Sequence, residues 1–222
     1  MARDARGPPA GPSGRGGSGC PRPLGHLPRL PFRVFVVFLH EISHGIAALL
    51  TGGRILTIGL TFDEGGVCVT DGGNRFLILN AGYLGSLLGG VVLLLLGSRP
   101  GRARGLVFLV GAFTLLVTVA YVRTPFGIVY GLATGAVLLH VATKLSARAS
   151  EVLLAAIGVV SCLYALWDVG SDVLLRESAG SDASALALIT PFPAFLWGLA
   201  WVVVSIAVLT LMLRWLALGR VR

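Results

Sequence analysis

Apolar residues along this chain gather into six long runs, at about 31–50, 76–96, 106–122, 126–141, 152–174 and 191–218. Each approaches the ~20 residues that carry an α-helix across a hydrocarbon core. The runs are apolar all round and lack the polar face that a helix of a soluble domain turns to water. The pattern predicts an all-α integral membrane protein with about six transmembrane helices. Residues 1–28 break it: they are rich in Gly, Pro and Arg and carry no apolar period. Such a stretch cannot bury enough surface to offset its ordering entropy, so a disordered basic tail is expected there, with one membrane domain over 29–222.

Between the first two runs the period changes to two. Ile58, Leu60 and Phe62 alternate with Thr57, Gly59 and Thr61; Asp63-Glu64-Gly65-Gly66 follows, and Val67 and Val69 then alternate up to Asp71-Gly72-Gly73. Alternation on both sides of a glycine-containing turn predicts a small β-hairpin after the first helix.

Composition agrees with the membrane assignment. Hydrophobic residues make up 55% and charged residues 13% of 222 positions, with a mean hydropathy of +0.85. Soluble domains are about 25% charged, so this chain cannot cover a water-facing surface. The net charge of +8 does not point to nucleic acid, because the basic residues stand at the ends of the runs. Arg3, Arg6, Arg15, Arg22, Arg29 and Arg33 precede or open the first run, and Arg99, Arg102 and Arg104 follow the second. Lys144 and Arg148 follow the fourth, and Arg214, Arg220 and Arg222 close the chain, while of the alternate loops the first and fifth mix both signs and the third carries Arg123 alone. That distribution places both termini in the cytosol. The tail also lacks the apolar centre of a signal peptide. Arginine in place of lysine beside 31 glycines suggests a GC-rich genome, and a bacterial cell membrane is the expected location. Cys20, Cys68 and Cys162 have no spacing for a zinc knuckle or a disulfide framework.

The chemistry is in the first run. His40 and His44 are four apart, which sets both imidazoles on one helix face, a turn apart, where they can share one zinc ion. Glu41 beside them is placed to act as general base. Two histidines and a glutamate within an apolar helix are costly in lipid, so they read as functional. A catalytic zinc needs a third protein ligand. The candidates in or near the runs are Asp168, Asp172, His140, Asn80 and Glu151. The first and fifth runs cross in the same direction, and Asp168 lies about as far from its end of the membrane as His44 does, at 1.5 Å per residue. Asp168 is therefore the expected third ligand, with Asp172 as the alternative one turn nearer the interface. Gly82, Gly85, Gly89 and Gly90 in the second run favour close helix packing, with a loosely packed water path as the other reading.

These residues resemble the site-2-protease family of intramembrane zinc metalloproteases, in its compact M50B-like branch. His40-Glu41-Ile42-Ser43-His44-Gly45 with Ala47, Ala48 and Gly52-Gly53 resembles the family's zinc helix and its exit. Ala81-Gly82-Tyr83-Leu84-Gly85-Ser86 is similar to its Gly-Pro-x-x-Asn neighbourhood, with Tyr83 and Ser86 at the Pro and Asn places. Trp167-Asp168 takes the place of the late-helix aspartate, without the fuller Asn-Pro-x-x-x-Asp-Gly setting. The resemblance implies that His40, His44 and Asp168 bind zinc and that Glu41 is the catalytic base. It also implies that the hairpin, through Ile58, Leu60, Val67 and Val69, holds an unwound transmembrane protein substrate, with Ser86 near its carbonyl. Better-known members hold their zinc nearer the cytosol, whereas the charge pattern here puts it in the outer half.

The expected activity is hydrolysis of peptide bonds in or near transmembrane segments, with membrane lipid as surroundings and no nucleic-acid partner. Two other readings use the same residues: a catalytically silent membrane protein that binds a partner, and a small ion or solute transporter. A transporter of this size is expected to show internal repeats with interrupted helices, and the halves of this chain show none.

Overall fold

In a computed structural model the described residues are 30–63, 65–97, 99, 101–169 and 181–217. The tail over 1–28 lies outside them. The elements in chain order are α1 (Leu30–Leu50), β1 (Arg54–Leu60), β2 (Gly66–Asp71), α2 (Arg75–Gly97), α3 (Ala103–Tyr121), α4 (Pro125–Lys144), α5 (Ala147–Val169), α6 (Asp182–Ile189) and α7 (Ala194–Ala217). All but α6 among the helices are long and apolar enough to cross a membrane, giving six candidate spans. The fold is therefore the expected helical membrane bundle with a hairpin after its first helix. α6 was not expected: its residues fall in the loop between the fifth and sixth runs.

α1 is the central element. Val34, Phe35, Val37, Phe38 and Ile42 are buried in the main core, where Ile58 and Leu60 of β1 join them. Close approach between the other helices rests on small residues, as lipid gives no hydrophobic drive for helix association. Gly127, Gly131 and Gly135 recur every fourth residue on the buried face of α4. A Cβ on Gly131 would run into the Thr118 side chain of α3, and one on Gly135 would reach the Gly111 carbonyl at 3.2 Å. Gly90 of α2 and Gly158 of α5 approach each other in the same way, a Cβ on Gly158 falling 2.8 Å from the Gly90 carbonyl.

β1 and β2 pair antiparallel, with Ile58 opposite Cys68 and Leu60 opposite Gly66, and with a register shift between Ile55 and Thr57. The outer edge of β1 is sealed by the α3–α4 connection. Ile58 forms a parallel bridge to Val122, and the Arg123 amide donates to the Ile58 carbonyl at 3.1 Å. Thr124 Oγ1 accepts from the Leu60 amide at 3.0 Å and donates to its carbonyl at 2.9 Å. Among the described residues no backbone group outside the hairpin pairs with the outer edge of β2. β2 starts at mid-membrane depth. A Cβ on Gly66 would lie 2.7 Å from Glu41 Cγ, and Glu41 is nine residues before α1 ends at Leu50, about 14 Å of helix rise.

Candidate metal centre

α1 presents His40, Glu41 and His44 as its sequence spacing requires. The two imidazole centroids are 4.7 Å apart, edge to face. His44 Nδ1 donates to the Ile78 carbonyl of α2 at 2.7 Å. That bond fixes the ring and leaves Nε2 as its ligand atom, the usual outer support of a metal-binding histidine. His40 is held by the Tyr83 ring, edge-on at 4.7 Å.

The third group comes from α6. Asp182 Oδ2 lies 3.1 Å from His40 Nε2 and 3.2 Å from His44 Nε2. Asp182 is the first residue of α6, whose start is set by Ser181: its hydroxyl accepts from the Ser184 amide at 3.2 Å. The helix is pinned by Ala183 and Leu186, which are buried with Tyr83, Val169 and Trp201. Trp201 in turn donates from Nε1 to Asn80 Oδ1 at 3.0 Å, so Asn80 serves packing between α2 and α7. Burial alone would push the Asp182 carboxyl up. Hydrogen bonds from both imidazoles and their nearby charge reverse this and hold it well below the usual carboxylate range.

These groups fit a zinc ion. One ligand atom from each of His40, His44 and Asp182 can be chosen so that all lie within 4.8 Å of one another. Ligand atoms ~2.0–2.1 Å from a tetrahedral centre stand about 3.3 Å apart, close to the spacings from Asp182 to each imidazole. α2 leaves room because Gly82 faces the pair: a Cβ there would sit 2.5 Å from Nε2 of both histidines. Gly85 abuts the Ser43 side chain in the same manner, and Gly66 abuts Glu41 Oε1. Glu41 is 6% exposed. It lines, with the three ligand candidates, a cavity of about 920 Å³ bounded by α1, α2, β2 and the start of α6.

Residues 24–212 match the sequence model of a family described as Peptidase M50B-like. The chain belongs to that family. No curated protein and no solved structure matches it significantly.

Membership of the M50B-like family implies a membrane metalloprotease, and the structure brings the motif histidines and Glu41 together on one face of α1. The carboxylate that meets them is Asp182, where the sequence pointed to Asp168 with Asp172 as alternative. The Asp168 side chain and all of Asp172 lie outside the described residues. Depth along the fifth run favours Asp168 only while the residues after that run are loop; a short helix there returns a carboxylate to the imidazoles. A signal for it exists: Ser181-Asp182-Ala183-Ser184 before Leu186 and Leu188 reads as a capped helix start. His140 is exposed on α4, and Glu151 pairs with Arg148 at 3.3 Å.

The five substrate-binding candidates of this M50B-like chain separate. Val67 and Val69 line the cavity on β2, and Ser86 lines it on α2 with its hydroxyl donated to the Tyr83 carbonyl at 3.1 Å. Ile58 and Leu60 are 0% and 1% exposed and belong to the core. Their alternation marks the inner face of a strand whose inside is α1, away from the cavity. For Gly82, Gly85 and Gly90, each pressed against side chains of a neighbouring helix, close packing is what the structure gives.

Proposed function

We propose that this chain is a zinc endopeptidase that cuts membrane proteins in or near their transmembrane segments. The observation that carries this reading is the convergence of His40, His44 and Asp182 beside the buried Glu41, in a cavity bordered by a strand edge that no other described residue pairs with. A zinc ion held by the three ligands would supply Lewis acidity toward the peptide carbonyl. Glu41 takes the proton of the attacking water and passes it to the leaving amine. The β2 edge holds the substrate extended, because a peptide bond inside an intact helix has its backbone groups already paired. Ser86 spends its own proton within α2 and offers only oxygen lone pairs to the cavity. With the basic ends of α1, α2, α4 and α7 in the cytosol, the N-terminus is cytosolic. The hairpin and the metal centre then belong to the opposite half of the membrane.

The test uses the full chain purified in detergent with a synthetic transmembrane peptide as substrate. Glu41→Gln is expected to keep about one zinc per chain and to lose at least about a hundredfold in turnover. Cleavage at the wild-type rate by that variant would overturn the peptidase reading.

A further inference from the structure

We propose that Arg75 selects the substrate, by pairing with an acidic side chain on the interfacial side of the scissile bond. The inference rests on the peptidase reading and adds a substrate class to it. Apart from the two imidazoles, Arg75 is the one basic side chain among the described residues that line the cavity. It opens α2 beside Gly72 and Gly73 at the hairpin's outer end, on the same face of the bundle as Arg54 and Arg123. Those two arginines are occupied. Arg54 donates to Asp71 Oδ2 from Nε at 2.9 Å and from Nη2 at 2.6 Å. Arg123 donates to the carbonyls of Val119, Ala120 and Val122. Arg75 is exposed, and its side chain makes no hydrogen bond or ion pair with any described residue. Since Asp71 is taken by Arg54, the acid that closes β2 does not answer Arg75.

The cavity has polarity along its length. Val36 and Val37, about a turn before Glu41 on α1, and Tyr164 line it toward the start of α1, Glu41 and the ligands lie in its middle, and the exposed Arg75 stands at its mouth. β2 covers the distance from Glu41, beside Gly66, to the mouth at Thr70, a rise of about 13 Å at ~3.3 Å per residue. A peptide added to that edge keeps the same rise, so the residue facing Arg75 is about four or five positions from the one facing Glu41. The occupant that fits is a segment with apolar residues on one side of the cut and an acidic residue on the other. This describes the end of a transmembrane helix followed by an acidic juxtamembrane stretch, on the membrane face that carries the hairpin.

The experiment uses one apolar transmembrane peptide with a single guest position placed three, four, five or six residues to the interfacial side of the cut. The guest is Ala, Asp or Lys, and cleavage sites are read by mass spectrometry. The full chain is used as wild type, Arg75→Ala and Arg75→Glu. Wild type is expected to cleave the Asp peptide about two- to fivefold faster than the Ala peptide at one or two of these placements, the range of an exposed ion pair. Arg75→Ala should abolish that ranking, and Arg75→Glu should turn it in favour of Lys. The same ranking of guests in all three chains overturns the proposal while leaving zinc- and Glu41-dependent cleavage intact. A second measurement, peptide affinity in the Glu41→Gln background, separates the two readings. Asp-over-Lys capture that reverses in Glu41→Gln/Arg75→Glu supports the role of Arg75 even where turnover fails, and capture indifferent to the guest sinks it.

Discussion

Replacing Gly82 with alanine is the most direct test of the centre, because it adds one carbon at the point where the ligands converge. That Cβ would stand 2.5 Å from Nε2 of both His40 and His44. An ordinary contact needs about 3.4 Å or more, so α2 must withdraw, or the imidazoles must turn, by about 0.9 Å. Metal sites tolerate ligand errors of only ~0.2 Å. His44 cannot turn freely, since its Nδ1 is bonded to the Ile78 carbonyl on the same helix as Gly82. Outer-shell disturbance of a metal ligand costs 10–100-fold in affinity, and direct intrusion should reach at least the upper figure, about a hundredfold. Global folding has a partial offset, because alanine is better than glycine inside a helix by ~1 kcal/mol. The assay is zinc per chain with chelator competition on wild type, Gly82→Ala and Gly89→Ala. Gly89 is the control, since its nearest neighbour to an added Cβ is Leu39 Cδ1 at 4.0 Å. Wild-type zinc affinity in Gly82→Ala would refute the geometry, and equal loss in both variants would show a general packing effect.

Asp182→Ala should weaken zinc at least about tenfold and Asp168→Ala should leave it unchanged, measured by the same competition; the reverse pattern would return the third ligand to α5. Gly66→Ala places a Cβ against Glu41 Oε1 and within 2.7 Å of a Val37 methyl, so cleavage should fall about a hundredfold, as misplacement of a catalytic group by ~1 Å does, with zinc content unchanged. Zinc loss in Gly66→Ala would place the hairpin tip against the ligands and not against the base. Thr124→Val removes both hydrogen bonds to the Leu60 backbone at about 1–3 kcal/mol. Amide exchange at Leu60 should rise accordingly, and unchanged protection would mean that the edge of β1 is held by Ile58 and Arg123 alone.

The spans were legible because hydropathy over some twenty residues is a local property of sequence. The hairpin was legible for the same reason, its period of two being written in Ile58, Leu60, Val67 and Val69. His40, Glu41 and His44 are local too, since three ligating or basic groups within five residues of one helix need no tertiary information. Asp182 does need it. It is 142 residues from His40, on a helix of eight residues too short to give a membrane signal. Its place depends on Ala183 and Leu186 docking against Tyr83 and Trp201. The faces of β1 were misjudged for a related reason: alternation tells which side chains share a face, and only packing against α1 decides what that face meets.

The two edges of the hairpin have unequal surroundings. β1 is closed by the α3–α4 connection, but among the described residues no backbone group outside the hairpin pairs with the outer amides and carbonyls of β2, from near the middle of the bilayer outward. In hydrocarbon each such group costs several kcal/mol, so this edge excludes lipid and requires hydration along its length. A wet channel from the interface down to Glu41 is thus demanded by the backbone before any chemistry is considered. When an extended peptide takes the place of those waters, it satisfies the same groups and dries the channel. The water needed beside Glu41 must then be kept as the others leave, so desolvation and substrate recognition become one event.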